Sequence, residues 1–289
     1  MTLGELVERC REALESAQVS FGQGTTNALD ESAWLVLWRL NLPLDTDLAN
    51  DTRLLTAEQQ ASVLALLDER IRTRQPLAYL TGEAWLQGVP FHIDPRSIIP
   101  RSLIAEVLAM GVLDEWVPET QARIMDLCTG NGSLAVLAAL AWPQAHVHGL
   151  DISVDALQVA ARNVARHALN DRVMLSLSDG FAAAQGRYDL ILCNPPYVNQ
   201  QSMDALPLEF QAEPALALAG GADGMDFIRP CLQQAARWLT PAGAMVLEIG
   251  HEIEHFERAF PQLMPWWLET SAGDTQVALL RAVDLAVLT

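Results

Sequence analysis

The chain has 289 residues, of which 51% are hydrophobic, so it can bury a large core and is not of the disordered class. All 18 basic residues are arginines, which excludes enzymes that need a lysine, such as Schiff-base enzymes and P-loop nucleotidases. The 36 acidic residues leave a formal net charge of −18, which disfavours broad nucleic-acid binding, so we expect no direct nucleic-acid partner.

The sequence also gives expectations about where the protein works. No apolar run approaches the ~20 residues of a membrane span, and the first residues lack the basic and apolar pattern of a secretory signal. The cysteines lie far apart and form no C-x-x-C pair, which fits a reducing compartment: Cys10, Cys128, Cys193 and Cys231. We therefore expect a cytoplasmic protein that does not associate with membranes.

Residues 1–75 are predicted to form a small helical domain, a candidate grip for a substrate. Apolar residues recur every three or four positions from Leu3 to Ala17, and again from Glu31 to Leu40. A third helix is predicted to begin after Thr56, because Gln59 completes a capping-box pattern.

The composition then changes twice along the chain. Residues 76–100 contain glycines, prolines and aromatic residues and are predicted to be a β-hairpin linker. Residues 101–289 alternate apolar runs with helical patterns, which indicates an α/β domain with a mostly parallel sheet. The predicted strands are Ala122–Leu127, His146–Leu150, Val173–Leu177, Tyr188–Cys193 and Ala244–Ile249, with a closing antiparallel pair from Trp266–Thr270 and Gln276–Arg281. The predicted helices are Ser133–Ala141, Val154–His167 and Asp226–Leu239, the last of them stopped by residues 240–243.

The first candidate motif is the segment Asp126–Gly132, which links the first strand of the α/β region to a helix. Glycines at such a turn let the backbone approach a ligand and direct its amides toward it. The spacing differs from the dinucleotide pattern G-x-G-x-x-G, because no third glycine is in place. A plain tight turn is the alternative interpretation.

Two further acids follow the next two strands. Asp151 ends the second strand, where a carboxylate can bind both hydroxyls of a ribose. Asp179 follows the third strand and can accept a hydrogen bond from an adenine amine. A helix cap for Asp151 and a turn residue for Asp179 are the alternatives. Together with the glycine turn, these acids indicate an adenosine-type cofactor without a pyrophosphate.

The most specific motif is Asn194-Pro195-Pro196-Tyr197, at the end of the fourth strand. Its two prolines remove backbone donors and stiffen the turn. The Asn194 side-chain oxygen and the Pro195 carbonyl are then two fixed acceptors that suit an NH2 group. Tyr197 can pack on a planar amide or base. A plain turn after a buried strand is the alternative.

These motifs, in this order, resemble those of class I S-adenosylmethionine-dependent amino methyltransferases, which have a Rossmann-like seven-stranded sheet. Residues 76–82, 99–102 and 221–226 are similar to segments of the HemK/Prm protein-glutamine methyltransferases, and the resemblance covers roughly residues 30–285. Cys128, Ser102–Glu106 and Met203–Pro207 resemble the PrmB branch, which methylates large-subunit ribosomal protein L3, more than the release-factor branch.

The resemblance implies methyl transfer from S-adenosylmethionine to a glutamine side-chain amide in a basic ribosomal protein, with S-adenosylhomocysteine as product. It implies cofactor contacts at Asp126, Cys128, Thr129, Gly130, Asn131, Gly132, Asp151, Ile152, Asp179, Gly180 and Asn194. It implies catalytic roles for Asn194, Pro195 and Tyr197, and substrate binding by Asn194, Pro195, Pro196 and Tyr197. The alternatives are a release-factor substrate, methylation of an exocyclic amine in RNA or DNA, and a non-catalytic module that binds the cofactor.

One other pattern resembles a metal site. His251-Glu252-Ile253-Glu254-His255 matches the H-E-x-x-H motif of zinc proteases, whose two histidines share one helix face. No third ligand is indicated by spacing, and a doubly wound fold expects a helix here in any case. We therefore predict no metal site.

Overall fold

A computed structural model describes residues 1–288, and the chain begins with three helices. They are α1 (Leu3–Ser16), α2 (Ala28–Arg39) and α3 (Ala57–Thr73). The capping box before α3 is confirmed, because Thr56 and Gln59 each bond the backbone N–H of the other. Helix α2 begins earlier than its apolar pattern indicates, since the Asn27 side chain caps it by accepting from Asp30 N.

The next segment joins the helices to the sheet. It contains a short helix, α4 (Leu77–Thr81), and a hairpin of β1 (Glu83–Leu86) and β2 (Val89–His92). The hairpin strands agree with the prediction, whereas α4 was missed because one turn and a half is too short to show a helical period. Ala84 packs in the core of the helical region and its pairing partner Phe91 in a core of the sheet region. The hairpin therefore contributes to both cores.

Seven strands form a single sheet in the order β5-β4-β3-β6-β7-β9-β8. They are β3 (Arg123–Leu127), β4 (His146–Asp151), β5 (Val173–Leu177), β6 (Tyr188–Cys193), β7 (Leu239–Glu248), β8 (Trp266–Thr270) and β9 (Gly273–Arg281). Strands β3 to β7 are parallel, and β9 pairs antiparallel with both β7 and β8. The predicted α/β fold and its antiparallel closing pair are confirmed.

The helices of this region are α5 (Ile104–Ala109), α6 (Ser133–Ala141), α7 (Val154–Arg166), α8 (Gln200–Asp204), α9 (Leu208–Gln211), α10 (Ile228–Trp238), α11 (Ile253–Ala259) and α12 (Ala282–Leu285). Helix α10 ends before Thr240, as predicted, but residues 240–243 belong to β7 instead of preceding it. The pairing jumps from Tyr188–Leu239 to Leu190–Ala244, so these residues form a bulge, where a proline is tolerated.

The sheet is covered on both faces, as parallel strands require. Along β3, Ile124 packs into one core while Met125 and Leu127 pack into the other. The chain runs from β3 outward to β5 and then returns to place β6 on the other side of β3. That reversal leaves a crevice beyond the carboxyl ends of β3 and β6, which is where open α/β sheets bind ligands. Within residues 1–288, no helix is long and apolar enough to cross a membrane.

Candidate active site

A cavity that opens to solvent lies beyond the carboxyl ends of β3, β4, β5 and β6. Its volume is about 1130 Å³ when the solvent-filled opening is counted with it. Ten of the predicted site residues line it: Cys128, Thr129, Gly130, Asn131, Asp151, Ile152, Asp179, Gly180, Asn194 and Pro196. The four motifs, which are separated in sequence, therefore meet at one place. This place is the crevice that the strand order creates.

Four other predicted site residues do not line the cavity. Asp126, Gly132 and Pro195 are buried beneath its wall, and Tyr197 is half-buried behind it. Gly132 serves helix packing, because a Cβ at this position would lie 3.0 Å from the Cβ of Ala160 on α7. The proposed contacts of these four residues with a ligand stay predictions.

The glycine turn, residues 126–132, is fixed by two hydrogen bonds of the Asn131 side chain. Asn131 Nδ2 donates to the Ile98 carbonyl at 2.6 Å, and Asn131 Oδ1 accepts from Ser133 N at 2.9 Å. Cys128, at the start of the turn, has a φ of +64°, a left-handed conformation that is uncommon outside glycine. The backbone of this turn is therefore pre-organised at the edge of the cavity.

Asp151 is oriented by the glycine turn and by its own turn. Its two carboxylate oxygens accept from Gly130 N and from Ser153 N, each at 2.8 Å. Burial raises the pKa of Asp151, and these N–H groups oppose that shift. The result is a fixed carboxylate at the cavity edge, suited to accept hydrogen bonds from hydroxyl groups.

Asp126 supports the same turn from below. It is 1% exposed, and its Oδ2 accepts from Thr129 Oγ1 at 2.5 Å and from Ala135 N at 2.9 Å. Its Oδ1 is buried without a hydrogen-bond partner. Burial raises the pKa of Asp126 to about 7. The carboxyl group thus joins the end of β3 to the first turn of α6. Its ionised form lowers the stability of the fold, because the charge is buried and one oxygen has no partner.

We expect replacement of Asp126 by asparagine to flatten the pH dependence of stability. Because the folded pKa is about 7 and the unfolded value is near 3.8, folding favours the protonated acid. Its stabilising contribution is complete below about pH 4 and is lost as pH rises to about 7, by at most ~1.4 kcal/mol per pH unit. Urea unfolding of both proteins at several pH values in this window measures the difference. Equal pH slopes in the two proteins would contradict the assignment.

Asn163 is a buried polar residue of α7 that sequence reasoning missed. Its Oδ1 accepts from His92 N at 2.7 Å, and its Nδ2 donates to the carbonyls of His92 at 3.0 Å and Asn131 at 2.8 Å. These bonds join the hairpin to the glycine turn. The sequence does carry one signal for it: Asn163 is the single amide among the apolar residues on the buried face of α7.

Glu248, at the end of β7, is a second missed residue. Its Oε2 accepts from Ser102 Oγ at 2.6 Å and Leu103 N at 2.9 Å, and its Oε1 accepts from Tyr197 OH at 3.0 Å. Burial raises the pKa of both Glu248 and Tyr197. A Cβ at Gly250 would lie 2.4 Å from the Tyr197 ring, so only a glycine allows this packing. Tyr197 is therefore held firmly behind the cavity wall.

Asn194 differs from these residues because its side chain has no bonding partner. It is half-buried, it lines the cavity, and within residues 1–288 its amide makes no hydrogen bond. The neighbouring Pro195 and Pro196 have no N–H that could occupy its oxygen. Because this half-exposed amide lies unpartnered at the cavity wall, a polar ligand group can bond it without breaking a hydrogen bond within the protein.

The H-E-x-x-H segment does not put both histidines on one helix. Helix α11 begins at Ile253, so His251 lies before it and only His255 lies within it. The Nδ1 of His255 is 2.6 Å from a carboxylate oxygen of Glu252. Among residues 1–288, no group of three or more histidine, cysteine or acidic side chains could hold a metal ion.

Comparison with known proteins gives matches over almost the whole chain. Residues 5–82 match the family of the PrmC N-terminal domain, and residues 107–222 match the methyltransferase small domain. A ribosomal protein uL3 glutamine methyltransferase of Bordetella pertussis is 53% identical over 288 residues, 98% of this chain and 96% of that protein. Proteins of the same name from Burkholderia pseudomallei and Neisseria meningitidis serogroup B are 46% and 44% identical, covering 98% of this chain and 95% and 94% of theirs.

Proposed function

The chain belongs to the family of ribosomal protein uL3 glutamine methyltransferases, and we propose that it methylates the side-chain amide nitrogen of a glutamine in uL3. The methyl donor in this proposal is S-adenosylmethionine. The observation that carries the site assignment is Asn194, whose amide lines the cavity without a partner among residues 1–288. Substrate amide hydrogens would give it the bonds that the protein does not provide.

The cavity residues fit S-adenosylmethionine. Asp151 offers a fixed carboxylate for the ribose hydroxyls, and Asp179 is proposed to accept from the adenine amine. A Cβ at Gly180 would meet no atom within 4 Å, so the backbone there is open to the ligand. When bound, this cofactor supplies a sulfonium methyl group that is electrophilic without further activation.

The protein's task is to prepare a weak nucleophile, because the lone pair of an amide nitrogen is delocalised into its carbonyl. In our proposal Asn194 Oδ1 and the Pro195 carbonyl accept both amide hydrogens. That pair of bonds directs the lone pair toward the methyl group and stabilises the positive charge that develops on nitrogen. Positioning of this kind contributes about 7–11 kcal/mol to lowering a barrier. The extra proton leaves to water once nitrogen has been methylated.

The charge of the chain supports a basic protein partner. A net charge of −18 attracts a cationic protein and speeds association at low salt. It works against a nucleic-acid substrate, since phosphate contacts need clustered cations. We expect the reaction in the cytoplasm, because ribosomal proteins are made there and all four cysteines are free thiols.

The proposal is tested by offering methyl-labelled S-adenosylmethionine with three acceptors: uL3, a release factor and deproteinised RNA. We expect label on one uL3 glutamine, located by peptide mass spectrometry. Label on the release factor would keep the chemistry and overturn the substrate. Label only in RNA would overturn the glutamine assignment, and cofactor binding without any transfer would favour the non-catalytic alternative.

A further inference from the structure

Two buried glutamates lie on the segment that follows the Asn194–Tyr197 motif. This segment, residues 199–218, is a loop whose two ends lie side by side, because the flanking residues Val198 and Ala219 form a parallel bridge. Glu209 in α9 is 2% exposed, and Glu213, four residues further on, is 4% exposed. Buried carboxylates require charged or hydrogen-bonding partners. The partners of both are found outside the segment.

Glu209 joins the segment to the helical region. Its Oε1 accepts from Arg74 Nη1 at 3.1 Å and lies 3.6 Å from Arg70 Nη1. Arg70 is 0% exposed, and its Nε donates to Glu31 Oε1 on α2 at 2.8 Å. A buried arginine of α3 thus lies between one carboxylate of its own region and one of the segment.

Glu213 makes a second connection, to two residues before α5 that line the cavity, Ile99 and Arg101. It accepts from both terminal nitrogens of Arg101, at 2.7 and 2.8 Å, and from Ile99 N at 2.9 Å. Arg101 lines the cavity. Phe210 also packs onto the helical region, because a Cβ at Gly22 would lie 3.0 Å from its ring. Helix α9 is therefore fixed to residues that belong neither to the sheet nor to the segment.

The residues that come directly after these glutamates form part of the cavity mouth. Pro214, Leu216 and Ala217 line the cavity, and Leu216 is 59% exposed. Their position depends on both anchors, since Pro214 directly follows Glu213 and α9 ends at Gln211, three residues before Pro214. A protein substrate must pass this mouth to place a glutamine beside Asn194, whereas a small cofactor does not need the exposed Leu216.

We propose that Glu209 is a positioning residue for the protein substrate. Through Arg70 and Arg74 it holds residues 214–217 at the mouth in the position that binds the glutamine-bearing segment. The helical region is then part of the substrate site and is coupled to it by buried charge. This inference rests on the proposed function, because it assigns the binding of that substrate.

The test compares Glu209→Gln with Glu31→Gln. The first removes the charge on the segment side of Arg70, and the second removes the charge on the helical side. For Glu209→Gln we expect the KM for uL3 to rise about tenfold or more, with kcat and the Kd for S-adenosylhomocysteine within about twofold. For Glu31→Gln we expect a lower Tm and an unchanged KM. Hydrogen exchange should become faster in residues 208–218 only in Glu209→Gln.

Three outcomes of the kinetic and binding assays would overturn the inference. They are an unchanged KM in Glu209→Gln, an equal rise of KM in both variants, and a parallel loss of S-adenosylhomocysteine binding. The first two indicate a purely stabilising role for the charge, and the third indicates general disruption of the fold. Wild-type protein that does not methylate uL3 would refute the proposed function, and unchanged exchange in residues 208–218 would separately refute the anchoring by Glu209.

Discussion

Replacing Asn194 with alanine is expected to lower kcat for uL3 methylation by about 10²–10³-fold. The variant loses an acceptor for an amide hydrogen, so the nitrogen is neither oriented nor stabilised as positive charge develops on it. The Kd for S-adenosylhomocysteine should change by less than about tenfold, because Asp151 and the glycine turn are intact. Steady-state kinetics with uL3 and calorimetric titration of S-adenosylhomocysteine measure the two effects separately.

Asn199→Ala is the matched control for this prediction. The Asn199 side chain is already bonded, donating to Glu252 Oε1 at 2.6 Å and accepting from Ser202 N at 2.9 Å as the cap of α8. Its loss should lower the free energy of unfolding by about 1 kcal/mol and kcat by less than about threefold. Equal loss of kcat in both variants, or none in Asn194→Ala, would contradict the proposed role of Asn194.

Replacing Asp151 with alanine is expected to weaken cofactor binding by about 10–100-fold, since hydrogen bonds to a charged group contribute about 1.5–3 kcal/mol. The change also leaves Gly130 N and Ser153 N without their acceptor, which loosens the turn that lines the cavity. Titration calorimetry with S-adenosylmethionine measures the Kd. At saturating cofactor, kcat should fall much less than it does in Asn194→Ala.

Asp155→Ala provides the comparison for Asp151. Asp155 lies in the first turn of the neighbouring helix α7 and is exposed. Its removal takes away the same charge a few residues further along, so long-range electrostatics change similarly while the cavity does not. We expect its cofactor Kd to stay within about twofold of the wild-type value. Similar weakening in both variants would mean that Asp151 acts only through its charge.

The fold was largely predictable because its elements carry strong local patterns. Strands Val173–Leu177 and Tyr188–Cys193 have the predicted bounds, since each is a mostly apolar run bounded by polar or turn residues. The start of α2 was missed because its cap, Asn27, lies outside the apolar period. Residues 240–243 have the composition of a turn and were therefore predicted to precede the strand, but they form a bulge within β7.

The site was predictable only where a motif stands at a strand end. Residues that act through distant partners escaped prediction: Asn163 bonds His92, Glu248 bonds Ser102 and Glu209 bonds Arg74. No local pattern reports such pairs, because they form only when separate elements pack. Likewise no local pattern reports that the Tyr197 hydroxyl bonds Glu248, whereas the packing of its ring on a planar amide stays a prediction.

The most direct test of glutamine methylation identifies the atom that receives the methyl group. Purified uL3 is incubated with the protein and isotope-labelled S-adenosylmethionine, freed of cofactor and hydrolysed in hot acid. A methylated glutamine amide then yields glutamate and labelled methylamine, and we expect methylamine equal to the methyl transferred, with almost none from Asn194→Ala. Label that stays on an arginine or lysine after hydrolysis, or that leaves as methanol from a carboxyl ester, would contradict the account.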